Sequence, residues 1–344
     1  MNTGRLDSRI SSYCEENKIM GMLRITLRDK VIYEKSIGYA RVKDKKPFDS
    51  ETLFHFYSLS KPFCAIGLLL LRDKGLVDLD KHPGEYFPEA RGCDSRVTVR
   101  HILHHVSGIP DFHDHPDLIE RLGHGYTYEV KEQLKYLWEY PNDYVPGTAG
   151  NYNSLNFTLI SLIIEAVSGE RYADYMRDHV FAPLGMKHTF IDDESKSTER
   201  RAQGYELRDG ELVEVDRNLN WMLGGGDAVG TVDDVYMLNK AIKQKLLLSE
   251  DTWREALTPS EIQCFGMGCM SFDWHGKTRI NHNGGHTGFR TLHFQIPEDD
   301  FDVIFLSNSG YGTARNDIAE IIYEELYGGD GTGALNVEMD KGYI

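Results

Sequence analysis

Ser58 and Lys61 stand three residues apart in the stretch Phe54-His55-Phe56-Tyr57-Ser58-Leu59-Ser60-Lys61-Pro62-Phe63-Cys64-Ala65. On a helix that spacing brings two side chains to one face, a turn from each other. An amine beside a hydroxyl can help draw off its proton and make serine a nucleophile, the chemistry of acyl transfer through a covalent ester. An aromatic, strand-like run precedes the pair and an apolar helical run follows it. Alone the tetrapeptide is a weak pattern, because serine and lysine fall three apart by chance in many chains.

A second candidate is Tyr152, in Pro146-Gly147-Thr148-Ala149-Gly150-Asn151-Tyr152-Asn153-Ser154. A tyrosine in a loop just before a helix can point its hydroxyl out of a helical layer, and next to an ammonium its phenolate can act as a general base. The bland alternative is a partly buried aromatic with a hydrogen-bonded hydroxyl. The third candidate is Ile280-Asn281-His282-Asn283-Gly284-Gly285-His286-Thr287-Gly288-Phe289. Two glycines at a strand end let a backbone approach a ligand closely. Their amides, with that of Ser58, could form an oxyanion hole. His282 could bind a substrate carboxylate or tune the proton network. A glycine-rich turn with incidental histidines is the plain alternative.

Other clusters are less persuasive. His101, His104, His105, His113 and His115 lie close together with Asp111 and Asp114, and His101 and His105 have a spacing able to chelate zinc. The chain has no His-Glu-x-x-His, so capping and loop-packing roles are expected and no metal or other cofactor is assigned. Gly224-Gly225-Gly226 lacks the Gly-Lys-Ser/Thr of a phosphate cradle. Asn156-Phe157-Thr158 fits a glycosylation sequon but falls inside an expected helix.

The elements that must position these groups follow from periodicity. Residues 5–17 read as an amphipathic helix, and Met20 to Leu27 with Val31 to Tyr39 as a hairpin turning at Arg28-Asp29-Lys30. A helix enters at Ser58 and ends near Gly75. Residues 76–224 are punctuated by Pro, Gly and His into short helices, at 98–105, 116–123, 129–139, 154–168 and 171–180, with little strand alternation. Thr231-Val232-Asp233-Asp234 starts a helix running to about Lys245. Phe265 to Trp274, Thr278 to His282, Phe289 to Ile296 and Asp302 to Ser307 read as antiparallel strands, and Asn316 to Tyr327 as a closing helix. Strands at both ends around a helical middle suggest an α+β fold: one antiparallel sheet covered by helices, from residues 1–75 and 225–330. Residues 76–224 would form a helical insertion, and 331–344 a loosely held acidic tail.

The 344 residues carry a formal charge of −16 and no basic tract, which argues against nucleic acid and anionic membrane surfaces as partners. Five cysteines without a C-x-x-C spacing read as reduced, buried thiols. The N-terminal residues show no apolar signal core, so a cytoplasmic location is expected. Neither composition nor pattern reveals oligomeric state.

In this order and spacing, the three motifs resemble those of the serine β-lactamase and penicillin-binding-protein superfamily, in the class C-like branch that also holds D-aminopeptidases, D-Ala-D-Ala carboxypeptidases and carboxylesterases. His101 to Pro110, Ile163 to Gly169 and Phe305 to Asn308 resemble further segments of that branch, so the likeness runs from about residue 20 to 327. It implies an α/β/α sandwich with a helical insertion and a metal-independent serine hydrolase. Ser58 would be acylated, Lys61 would hold its proton network and Tyr152 would be the base. His282, Asn283 and Gly284 would line the opposite strand, and the amides of Ser58 and Gly285 the oxyanion hole. The substrate would be a small ester, amide or short peptide. In one place the chain departs from the pattern. The family's Tyr-x-Asn reads Tyr152-Asn153-Ser154, and a serine hydroxyl offers one donor where an amide offers two. That favours an esterase or peptidase over a true β-lactamase or carboxypeptidase, and leaves open a non-catalytic binding protein or, from the histidines, a metal hydrolase.

Overall fold

The fold is built around a run of apolar strands in which successive side chains feed opposite cores. In the computed structural model, which describes residues 3–111, 130–192, 199–215 and 223–328, twelve strands and nine helices are named here in chain order. Helix α1 is Thr3–Glu16, and a hairpin of β1 (Gly21–Leu27) and β2 (Lys30–Ile37) follows. Arg28 and Asp29 make its turn with φ of 51° and 60°, the left-handed pair of a type I′ turn. Strand β3 (Phe54–His55) leads through a 3-10 turn, Tyr57–Ser60, into α2 (Lys61–Asp73).

Helices α3 (Val99–Leu103), α4 (Val130–Leu137), α5 (Ser154–Ser168) and α6 (Tyr172–Met176) come next. They are followed by β4 (Phe190–Ile191), the hairpin β5 (Gly204–Arg208) and β6 (Glu211–Val215), and β7 (Ala228–Gly230). Then come α7 (Val232–Gln244), α8 (Glu250–Leu257), β8 (Met270–Trp274), β9 (Lys277–Asn281), β10 (Gly284–His286), β11 (Phe289–Ile296), β12 (Phe301–Ser307) and α9 (Ala314–Tyr327). The expected helix at 116–123 and the tail at 331–344 lie outside the described residues.

The main sheet runs β2-β1-β12-β11-β9-β8, and β10 also pairs with β11. As expected, the N-terminal hairpin joins the C-terminal strands, with β1 antiparallel to β12 from Gly21↔Ser307 to Leu27↔Phe301. The period of two is visible in β12. Val303 and Phe305 face a core shared with Leu6 and Ile10 of α1 and Ile318 and Ile322 of α9, whereas Ile304 and Leu306 join the core of α2, α5 and α7. The architecture is thus a mixed one, an antiparallel sheet between helices. One feature of the middle segment differs from expectation. Residues 204–215 form a hairpin whose Asp209-Gly210 turn has φ of 52° and 81°. Among the described residues, no helix is long and apolar enough to cross a membrane.

Strand β11 carries β9 against its Phe294–Gln295 end and β10 against its Phe289–Thr291 end. The chain therefore breaks between them, at His282 and Asn283. That break lets β10 leave the line of β9 and lie beside the 3-10 turn that holds Ser58.

Candidate active site

The turn that carries Ser58 is held by three hydrogen bonds to two segments. The Phe56 N–H donates to the Ala228 carbonyl at 3.0 Å, the Ala228 N–H to Ser60 Oγ at 2.9 Å, and the Tyr57 hydroxyl to the Thr287 carbonyl at 2.8 Å. Tyr57 has φ of 48°, a left-handed conformation that costs a non-glycine residue on the order of 1–2 kcal/mol. The reversal it makes ends β3 and lifts Ser58 to the surface of the cleft, where Ser58 is half-buried. Lys61, one helical turn on, is completely buried.

Burying an ammonium is tolerable only if its donors are used. Lys61 Nζ donates to Ser58 Oγ at 3.2 Å, Ser154 Oγ at 3.4 Å and the Gly225 carbonyl at 2.7 Å, three acceptors for three protons. It also lies 4.8 Å from the ring centroid of Tyr152 and 5.7 Å from that of Phe157. The Tyr152 hydroxyl is 2.6 Å from Ser58 Oγ. Ser58, Lys61, Tyr152 and Ser154 therefore share one hydrogen-bonded cluster.

Tyr152 is fixed by the two residues after it and by the rings packed against it. Asn153 caps α5 through the Leu155 N–H at 2.8 Å and donates to the Ile109 carbonyl at 2.7 Å. Its own N–H reaches His105 Nδ1 at 3.2 Å, and the Ser154 N–H reaches Asp111 at 3.2 Å. The His105 ring lies under Tyr152 at 4.6 Å between centroids, and Phe265 flanks Tyr152 at 5.6 Å. Burial, then the charge of Lys61, hold His105 well below the usual imidazole range, so it packs as a neutral ring.

Across the cleft, β10 approaches as only glycine allows: a Cβ on Gly284 would fall 1.9 Å from the Phe56 carbonyl oxygen. Gly285 pairs with Arg290, whose side chain passes over it. His282 is buried, and its Nδ1–H donates to the Asn283 carbonyl at 2.7 Å, which leaves Nε2 as a lone pair without a partner. Burial, then the Lys61 charge, push its pKa down to about 3. Asn283 Oδ1 is likewise buried and unpaired. Arg315 Nη1 donates to the Gly284 carbonyl at 3.1 Å. Arg290 and Arg315 repel each other, and neither forms an ion pair among the described residues.

A model of the beta-lactamase family matches residues 6–326. The chain belongs to the beta-lactamase family. A penicillin-binding protein of Bacillus subtilis (strain 168) is 27% identical over 328 residues, which cover 86% of this chain and 69% of that protein. Esterase EstB of Burkholderia gladioli is 27% identical over 201 residues, covering 53% and 50%. Among solved structures, the D-amino acid amidase of Ochrobactrum anthropi SV3 superposes with a TM-score of 0.79 at 24% identity, over 94% of this chain and 99% of that one. The chain is thus similar in sequence to a penicillin-binding protein and an esterase, and it shares its fold with the amidase.

Within this member of the beta-lactamase family, the histidines of the 101–105 segment have separate duties. His101 completes the capping box of α3 with Thr98, His104 donates to the Phe265 carbonyl at 2.9 Å, and His105 supports the tyrosine loop. His113, Asp114 and His115 lie outside the described residues. Three groups near the site were not singled out from sequence as site residues: the Gly225 carbonyl, His105 and Arg315. The carbonyl carries no side-chain signal at all. His105 stood in a recognisable segment, but nothing local tied it to Tyr152, which lies 47 positions later.

Proposed function

We propose that this chain is a serine hydrolase that forms an acyl-enzyme on Ser58 with small esters, amides or D-amino-acid peptides. The single observation that carries the reading is the hydroxyl cluster: Ser58 Oγ lies 2.6 Å from the Tyr152 oxygen and 3.2 Å from Lys61 Nζ. Tyr152 acts as the general base, its oxygen taking the Ser58 proton while Ser58 Oγ bonds to the substrate carbonyl carbon. The tetrahedral oxyanion is met by the amides of Ser58 and Gly285, and each such donor contributes roughly 3–4 kcal/mol to the barrier. Tyr152 passes its proton to the departing alcohol or amine. Water then adds to the ester as Tyr152 takes a proton from it, and Tyr152 returns that proton to Ser58 Oγ, which leaves as the hydroxyl and releases the acid product. A neutral His282 carries no charge for a carboxylate, so its placement suits a tuning role in this network.

The test is a panel of p-nitrophenyl esters, D-phenylalanine amide and a cephalosporin, run on the wild type and Ser58→Ala. The expected result is turnover of at least one ester or amide that drops by about 10³-fold or more in the variant. Equal rates in the two proteins would remove Ser58 from the mechanism.

A further inference from the structure

Asp227 is a buried carboxyl group that the acyl-transfer cycle does not use. It closes the turn Gly224-Gly225-Gly226-Asp227, and the turn grips the nucleophile segment. The Gly225 carbonyl accepts from Lys61 Nζ, and the Ala228 N–H and carbonyl bond to Ser60 and Phe56. Asp227 Oδ2 accepts from the Gly224 N–H at 2.8 Å, so the side chain pins the turn across its own mouth. Its Oδ1 is buried with no hydrogen-bond partner. The turn has little room to shift, since a Cβ on Gly224 (φ 70°) would lie 2.5 Å from the Phe157 carbonyl.

The groups facing Asp227 come from three elements. Lys61 and Cys64 project from α2, Tyr172 from α6, and Asp192 follows β4 and donates its N–H to the Asp227 carbonyl at 2.8 Å. Cys64 and Tyr172 are both fully buried, and burial pushes each away from its charged form. Asp192 is already joined to Arg201 through both carboxylate oxygens. Lys61 is therefore the facing cation that favours ionised Asp227. Burial pushes the Asp227 carboxyl up to about 7, with the Gly224 N–H, its own N–H and then Lys61 drawing it back.

We infer that Asp227 is a positioning residue of the acyl-transfer site, holding the glycine turn so that the Gly225 carbonyl meets the Lys61 ammonium and, when ionised, opposing that ammonium's charge. This rests on the acyl-enzyme reading above. It predicts that the charge of Asp227 supports Lys61 on the alkaline side and that its hydrogen bond supports Lys61 at every pH.

The experiment measures Ser58 acylation against pH, by intact mass with a fluorophosphonate, in the wild type, Asp227→Asn and Asp227→Gly. Asparagine keeps an acceptor for the Gly224 N–H and loses the charge. Its alkaline limb should fall about one pH unit earlier, so that it acylates more slowly than wild type on that limb, by up to about tenfold, and within about twofold near pH 6. Glycine loses the tether and should be about tenfold slower at both. Superimposable asparagine and wild-type profiles overturn the charge role, and a glycine variant as fast as wild type near pH 6 overturns the tether.

Thermal melts of the wild type and Asp227→Asn between about pH 4 and 9 separate this idea from the hydrolase reading. A carboxyl raised in the folded state contributes stability that is lost as pH rises from about 4 through 7, so the asparagine variant should gain on wild type across that window. That gain with no acylation of the wild type would leave the buried charge standing and sink the hydrolase reading. A constant difference between the melts would overturn the buried charge itself.

Discussion

At the residue scale the site depends on short contacts whose loss has separable effects. Tyr152→Phe keeps the ring that packs on His105 and lies beside Lys61, and removes only the hydroxyl that reaches Ser58. The expected outcome is a fall in kcat of about 10²–10⁴-fold with KM and melting temperature little changed, read by steady-state kinetics and a thermal melt. Ser154 holds the position from which a two-donor amide would reach both Lys61 and substrate. Ser154→Asn should raise kcat/KM for acylamino substrates relative to simple esters, by about tenfold for one recovered hydrogen bond of about 1.4 kcal/mol. Ser58, Lys61 and Tyr152 were legible because their motifs are local and each type has a chemical reason to stand at its spacing. Asp227 and His105 were not, because their meaning depends on chain that returns from far along the sequence.

At the scale of elements, the break between β9 and β10 brings the glycine strand to the serine turn. Gly284→Ala places a methyl group against the Phe56 carbonyl, so β10 must retreat. The expected cost is about 1–3 kcal/mol of stability, measured by urea unfolding, and a loss of activity of about 10²-fold or more, because the proposed oxyanion donor Gly285 moves with the strand. The boundaries of α5 and β11, and the presence of the hairpin formed by β1 and β2, follow from apolar periodicity, which one buried face writes plainly into a sequence; β2 itself runs Lys30–Ile37 where Val31 to Tyr39 is expected. Strand β10 falls between the expected strands, which stop at His282 and resume at Phe289, because three residues containing two glycines show no alternation. Asp209-Gly210 marks the turn of the β5–β6 hairpin, but its largely exposed, charged residues write only a weak strand pattern. The helix expected to enter at Ser58 opens instead with a 3-10 turn, Tyr57–Ser60, and its α-helical part begins at Lys61.

For the whole molecule, buried titrating groups set how stability depends on pH. His293, under α7, is fully buried against Asn239, and burial pushes its pKa down to about 3. The unfolded chain takes up that proton near the ordinary value of 6.5, so the stability His293 leaves intact at neutral pH is lost as pH falls from about 6.5 toward 3. His105 and His282 act in the same direction. Asp227 and Asp302, both raised to about 7 by burial, act oppositely, losing their contribution as pH rises from about 4 to 7. His293→Gln should therefore reduce the drop in unfolding free energy between about pH 7.5 and 4.5 by on the order of 2 kcal/mol, as measured by urea unfolding at the two pH values. The −16 charge and the pairing of both termini in one sheet were readable from the chain; the opposing buried ionisable groups required the fold. The central claim, that Ser58 carries the acyl group, is tested most directly by the intact mass of the whole chain after incubation with a fluorophosphonate and, separately, a penicillin. A single adduct that maps to the peptide containing Ser58, absent in Ser58→Ala, is the expected result. An unmodified mass with both probes, or an adduct that persists in Ser58→Ala, would contradict it.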